Sequence, residues 1–246
     1  MDFPRDAYYL PCYVPWYSPQ YHSGVWFPPY YPSYVQQQGP ADTELLSVSS
    51  RAKTPLQALD VSDIPPITSQ ELQQLNPQDF ECNLMNARFF IMKSQCEDDV
   101  HKSVKYGIWT SSYENNNKMN HVFREANGMM PIYLFFSVIN SGMLVGCAEM
   151  ISAVNFTARF NGWYPNFSNL GYFGVRWIFV KDLHEKRLKQ IKLNYNNFDS
   201  IPDSEEISVK LGCKILKEFT KLSKYKSLLD DFSYYDMKER QVLSYL

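Results

Sequence analysis

The sequence predicts an α/β domain, a curved mixed sheet with helices packed around it, preceded by a disordered N-terminal tail. Two observations predict the domain. ARFFIMKS (87–94), IYLFFSV (132–138), LVGCAEMISAV (144–154) and VRWIFVKDL (175–183) are rich in β-branched or aromatic residues and flanked by turn signals. Two helical patterns interleave with them, one from Glu97 and one over roughly 206–224, and strand, helix, three strands, helix is an α/β order. A third observation predicts the tail: residues 1–35 hold eight tyrosines and seven prolines, a density that prevents helices and sheet ladders.

The tail is suited to weak aromatic contacts with itself or with protein partners, and residues 36–67 read as a polar linker. Order is expected from Thr68, which has capping-box spacing with Glu71 and opens a short helix that stops before Asn76-Pro77. After the strand at 87–94, Ser94 and Glu97 repeat that spacing and open EDDVHKSVKYG. Its acids lie in the first turn and its lysines towards the end, as the helix dipole favours. Val100, Val104 and Ile108 give its inward face, and Gly107 breaks it. In the last helix Leu211, Ile215, Phe219 and Leu222 form the apolar stripe. Lys210, Lys214, Lys217, Lys221 and Lys224 share another face, by default solvated and alternatively a ridge that tracks phosphates.

Composition narrows the function. The apolar share of 45% is enough for a core, and the net charge of −2 is unlike a strongly basic nucleic-acid binder. Residues 1–80 carry three basic residues against eight acidic ones, which leaves 21 against 18 in the rest. The five cysteines (12, 82, 96, 147 and 213) are widely spaced without CxxC, which reads as reduced thiols in a cytosolic or nuclear protein. No apolar run approaches the roughly 18 residues of a membrane span, and no secretory leader pattern opens the sequence. GxSxG, P-loop, GxGxxG and HExxH are all absent. Glu97, Asp98, Asp99 and His101 form the one compact group resembling acid/base or metal chemistry, and a helix N-terminus explains those acids without a reaction. The reading is a binding module with no catalytic residue, metal or cofactor.

One stretch points to what it binds. FNGWYPNFSNLGYFGVRW (160–177) threads large rings through turn formers. Such rings either tuck back into the core or wait for a flat ligand. Trp163 lies in this loop, Trp109 directly follows the helix in KYGIWTSS, and Trp177 lies inside a strand and reads as core. For Trp109 and Trp163 the residues alone leave a hydrophobic plug and a ligand platform both open.

The strings NPQDFECNLMNARFFIMKS, EDDVHKSVKYGIW, PIYLFFSV, SGMLVGCAEM, VRWIFVKD and LLDDFSYYDMKERQ, in this order from Asn76 to Gln241, resemble the YTH domain and are most similar to the cytoplasmic YTHDF class. The resemblance implies a barrel-like sheet surrounded by helices that reads N6-methyladenosine (m6A) in single-stranded RNA, and so an mRNA regulator in the cytoplasm. It implies that Trp109 and Trp163 are two walls of an aromatic cage facing one another across a slot one purine wide. Thr110 would accept the base's N6–H through its carbonyl, and Asp99 would meet the Watson–Crick edge. Lys93 and Ser94 would form the rim, with Gln95 in place of the family's Tyr or Asn. The class places a third tryptophan where this chain has Asn169, with Leu170 adjacent as the apolar candidate and Phe167 or Tyr172 as alternatives. SVINSG sets Ile139 at the class's asparagine, with Asn140 beside it. The class's phosphate-binding arginine falls at Ser204, flanked by Asp203, Glu205 and Glu206, a change expected to weaken RNA binding. Lys118 and the helix lysines are the expected compensation. The alternative reading is a YTH-fold protein that has lost methyl recognition and serves as a general RNA-binding or protein-interaction module.

Overall fold

A computed structural model describes residues 57–59, 64–80, 86–160, 162–163, 171–188, 200–223 and 225–243. The tail and most of the linker lie outside these residues. The elements in chain order are β1 (Gln57–Leu59), α1 (Ser69–Gln74), β2 (Arg88–Ser94), α2 (Glu97–Tyr106), β3 (Ile108–Trp109), α3 (Tyr113–Ala126), β4 (Ile132–Val138) and β5 (Met143–Met150). They continue with β6 (Ala158–Phe160), β7 (Phe173–His184), α4 (Glu185–Leu188), β8 (Glu205–Ile207), α5 (Val209–Lys221), a 3-10 turn (Leu228–Asp231) and α6 (Phe232–Leu243).

The main sheet has the order β3-β7-β5-β4-β2-β8 and is curled and mixed, with β2 and β4 parallel and the other neighbours antiparallel. β4 lies inside it and all seven of its residues are buried, so IYLFFSV is apolar on both faces. Alternation along the strands sorts the core into two layers. Phe90, Met92, Leu134, Phe136 and Trp177 point to one side, where α2, α3 and α6 contribute Val104, Met119 and Tyr235. Phe89, Ile91, Tyr133, Phe135 and Phe179 point to the other, under Ile215, Leu216 and Phe219 of α5. Trp177 and Phe179 face opposite ways because a bulge skips Ile178 between them. At the same crossing a Cβ on Gly146 would stand 2.3 Å from the Phe179 carbonyl oxygen, so only glycine fits.

The Thr68–Glu71 capping box forms as expected. The second one does not: Cys96 is the N-cap of α2, and the Ser94 hydroxyl donates to the Cys96 carbonyl at 2.7 Å. The helix expected over roughly 206–224 starts at Val209 because residues 205–207 are drawn into the sheet as β8, and Ser208 caps this helix, α5. The sequence reading places no helix at α3 because its four asparagines break the apolar pattern of its buried positions, Asn116, Met119, Val122 and Ala126. Residues 57–59, within the expected linker, pair in parallel with β6. Cys147 and Cys213 are free thiols, whereas Cys96 is disulfide-bonded. Reduced thiols were expected throughout; at Cys96 a helix N-terminus favours the reactive thiolate.

α6 is fastened to α2 by the acid-rich group that resembled a metal site. The Tyr235 hydroxyl donates to Glu97 at 2.7 Å, Lys105 bridges Asp236 and Glu239 at 2.7 Å each, and the Tyr106 hydroxyl donates to Glu239 at 3.0 Å. Asp98 pairs with Lys102 one turn away. His101 is wholly buried between Phe232 and Tyr235. Its Nε2 lies 3.2 Å from Asp236 Oδ1, off the hydrogen-bond direction. Among the described residues no group of three His, Cys, Asp or Glu side chains is placed to hold a metal ion.

Candidate nucleic-acid interface

Trp109 ends β3 at the edge of the sheet, where it pairs with Phe173 of β7. Gly107, the C-cap of α2 with φ +62°, delivers the chain from helix to strand in one residue. Trp163 arrives from elsewhere, three residues beyond β6. The two indoles meet with centroids 5.3 Å apart at an interplanar angle of 69°. They belong to a chain of touching rings that runs Tyr106, Phe160, Trp163, Trp109, Phe136, Trp177.

This corrects the expected slot. A purine between parallel rings needs about 7 Å, two contacts of about 3.5 Å each. The indoles instead touch edge to face, and they are only 3% and 4% exposed. Of the loop's rings, Phe160 and Trp163 therefore tuck back into the core, and Trp163 is a core residue as well as a candidate wall. The Trp109 ring N–H is buried without a hydrogen-bond partner. A buried donor left unmade costs about 1–3 kcal/mol, so the corner has unused polar capacity. Leu170, Asn169 and Phe167, the third-wall candidates, lie outside the described residues. Tyr172 is half-buried and forms a bridge with Asn155.

The segment after Trp109 is pinned by a polar network. The Thr110 hydroxyl donates to the Gly171 carbonyl at 2.7 Å, and the buried Asn116 amide donates back to that hydroxyl at 3.2 Å. Asn116 also accepts the Ser111 N–H at 3.0 Å. Asp99 is buried in the first turn of α2. Lys93 and Ser94 end β2, and both are engaged. Asp203 accepts the Lys93 main-chain N–H at 2.8 Å, and the Ser94 carbonyl accepts the Ile139 N–H at 3.0 Å. The fold thus supplies an internal acceptor for the Lys93 main-chain N–H at the expected rim. Gln95 is exposed. Asn140 is exposed in the β4–β5 turn with φ +62°, a left-handed position that asparagine tolerates, which explains it without a ligand.

The expected phosphate compensation also changes. Ser204 is fully buried, has φ +57°, and sets its hydroxyl against Met92 Sδ, so it cannot stand at a phosphate rim. Asp203 binds Ser111 and Asn115 as well as Lys93. Glu206 forms a two-oxygen pair with Arg88, which lowers the Glu206 pKa, and Lys118 lies 3.9 Å from Glu205. These carboxylates are structural partners and not an open repulsive rim. The lysines of α5 sit over the opposite layer of the core from the indoles, so they cannot flank a nucleotide held there. The sequence reading missed Asp203 as a tether and Asn116 as the clasp of the Thr110 turn. The Asp203 bonds reach across 88 to 110 residues of sequence, and Asn116, whose partners are only five and six residues back, is hidden in a run of look-alike asparagines.

Residues 87–220 match the family described as YTH, YT521-B-like domain. Human YTH domain-containing family protein 2 is 37% identical over 175 residues, which covers 70% of this chain and 30% of that protein. Among solved structures, the Pho92 YTH domain in complex with m6A superposes with a TM-score of 0.57 at 28% identity, covering 62% of this chain and 97% of that one. The YTH domain of Zygosaccharomyces rouxii MRB1, in complex with N6-methyladenosine RNA, gives 0.55 at 32% identity with the same coverage. A curled mixed sheet, an indole at its edge and a second indole brought to meet it define a YTH domain. The chain belongs to the YTH family.

Proposed function

We propose that this chain binds N6-methyladenosine in single-stranded RNA at the corner formed by Trp109 and Trp163. The observation that carries the reading is the meeting of these two distant indoles at the sheet edge, in a family whose solved members at 28% and 32% identity are complexes with m6A. The base replaces the contact the indoles make with each other. Parting an edge-to-face pair gives up about 0.5–1.5 kcal/mol beyond its area, whereas stacking a base returns about 1–3 kcal/mol. Removing the methyl from water adds about 0.8 kcal/mol, and the unpaired Trp109 N–H gains an acceptor. One methyl limits preference over plain adenosine to roughly 10- to 200-fold. The base's partners in this reading are Asp99, the Thr110 carbonyl, and the rim of Lys93, Ser94, Gln95 and Asn140, with Leu170 as the lid. The role is binding and not catalysis, and it makes the protein a cytoplasmic regulator of mRNA fate that draws partners through its N-terminal tail.

Titration of the full chain with a short RNA, with and without one m6A, tests the reading. Tighter binding of the methylated strand, with a change in tryptophan fluorescence as the indoles part, is expected. Equal affinity for both strands would leave a general RNA-binding module. No affinity for either would favour a protein-interaction module, which the closed indole pair and the occupied Lys93 N–H already suit.

A further inference from the structure

We infer that Tyr113 is a second stacking platform, taking the base next to the one held by the indoles. The inference rests on the m6A reading above and adds a subsite to it. Tyr113 is the first residue of α3, four after Trp109, and is 49% exposed. A large ring left that open on the surface beside a buried aromatic corner has apolar area available for a flat ligand. Four residues span at most about 14 Å, so the ring lies within reach of a nucleotide adjacent to the corner.

The ring is also held in place. The Thr110 hydroxyl donates to Gly171, the Ser111 N–H and hydroxyl donate to Asn116 and Asp203, and Ser112 caps α3 by accepting the Asn115 N–H at 3.2 Å. Every residue between Trp109 and Tyr113 is therefore anchored by its side chain or backbone. Phe156 braces the ring edge-on, with centroids 6.0 Å apart at 62°, and itself packs against the core layer that contains both indoles. A pre-positioned ring loses little conformational freedom on binding.

The other exposed tyrosines among the described residues do not fit. Tyr225 lies beside Lys181, with the ammonium 4.7 Å from its ring, and Tyr234 stands on α6 against Tyr235. The charge next to Tyr113 belongs to exposed Glu114, which disfavours a phosphate there and leaves the flat face of a base as the matching chemistry. Stacking tolerates any base, so the platform adds affinity for RNA around m6A without dictating its sequence.

The test compares full-length wild type, Tyr113→Ala and Tyr113→Phe on three ligands: an m6A-centred RNA pentamer, the same pentamer with an abasic site at either neighbour, and free m6A nucleoside. Tyr113→Ala is expected to weaken the pentamer about 5- to 150-fold. It should leave the nucleoside unchanged, Tyr113→Phe should bind as wild type, and one abasic pentamer should lose affinity in wild type but no further in Tyr113→Ala. Equal binding of the pentamer by wild type and Tyr113→Ala, with methyl preference intact, overturns the platform. Absence of methyl preference in wild type overturns the indole reading and this inference with it. Should Tyr113→Ala not fold, the abasic strands on wild type decide: no loss at either neighbour overturns the proposal.

Discussion

Asp203 accepts the main-chain N–H of Lys93 across 110 residues of sequence, at 2.8 Å. Its second oxygen takes the Ser111 hydroxyl and the Asn115 amide. One carboxylate thus ties the end of β2, the segment after Trp109 and the first turn of α3. Replacing it by alanine strands donors in a half-buried place. Asp203→Ala is expected to lower stability by about 2–3 kcal/mol in urea unfolding, with Asp203→Asn losing less because one oxygen still accepts. Equal stability of Asp203→Ala and wild type would mean that water replaces the tether.

The indoles have two duties, and their truncation should report both. Trp109→Ala and Trp163→Ala each empty a core position, which costs about 3–5 kcal/mol of stability. Trp→Phe keeps most of the packing, so these variants should stay folded while weakening m6A binding by about 1–3 kcal/mol. Unfolding curves and titrations on the same samples separate the losses.

His101 should make stability depend on pH. Burial pushes its pKa down to about 4, although Asp236, Asp98 and Glu239 pull the other way. Between its ordinary value near 6.5 and about 4 the unfolded chain binds a proton that the native state refuses. Stability therefore falls as pH drops through that window, on the order of 2–3 kcal/mol at its foot. His101→Gln should flatten the dependence between pH 6.5 and 4.5, read as melting temperature against pH. An unchanged slope would assign the acid sensitivity to the carboxylates around it.

Charge reversal on α5 should matter little to a short RNA. Lys210, Lys214 and Lys217 are exposed over the core layer opposite the indoles. Changing all three to glutamate is expected to shift affinity for a methylated pentamer by about twofold or less, without altering the slope of affinity against salt. A fall in that slope by about one per lysine would bring these residues into the phosphate path.

Much of the frame was legible because its signals are local. IYLFFSV is a strand over the very residues read, the Thr68–Glu71 spacing makes its cap, and Ile215 and Phe219 face inward. What escaped depends on partners outside each element. α3 hides its apolar positions among asparagines, one of which, Asn116, is buried because Thr110 and Ser111 need its amide. β8 exists because residues 205–207 find β2, and nothing in EEI announces it. The two tryptophans were recognisable as a pair, but their mutual angle and burial were not. Those follow from Phe136 and Phe160, which fill the space beside them.

Gly107 joins α2 to β3 with a single left-handed residue, and a Cβ there would stand 3.3 Å from the Val175 carbonyl oxygen. No slack separates the helix that carries Asp99 from the strand that carries Trp109. Adding or deleting one amino acid at this joint would rotate the acid around the helix axis by about 100° relative to the indole. The joint therefore works as a gauge block: it sets the spacing between acid and ring before any guest arrives, and it makes their common frame intolerant of length changes.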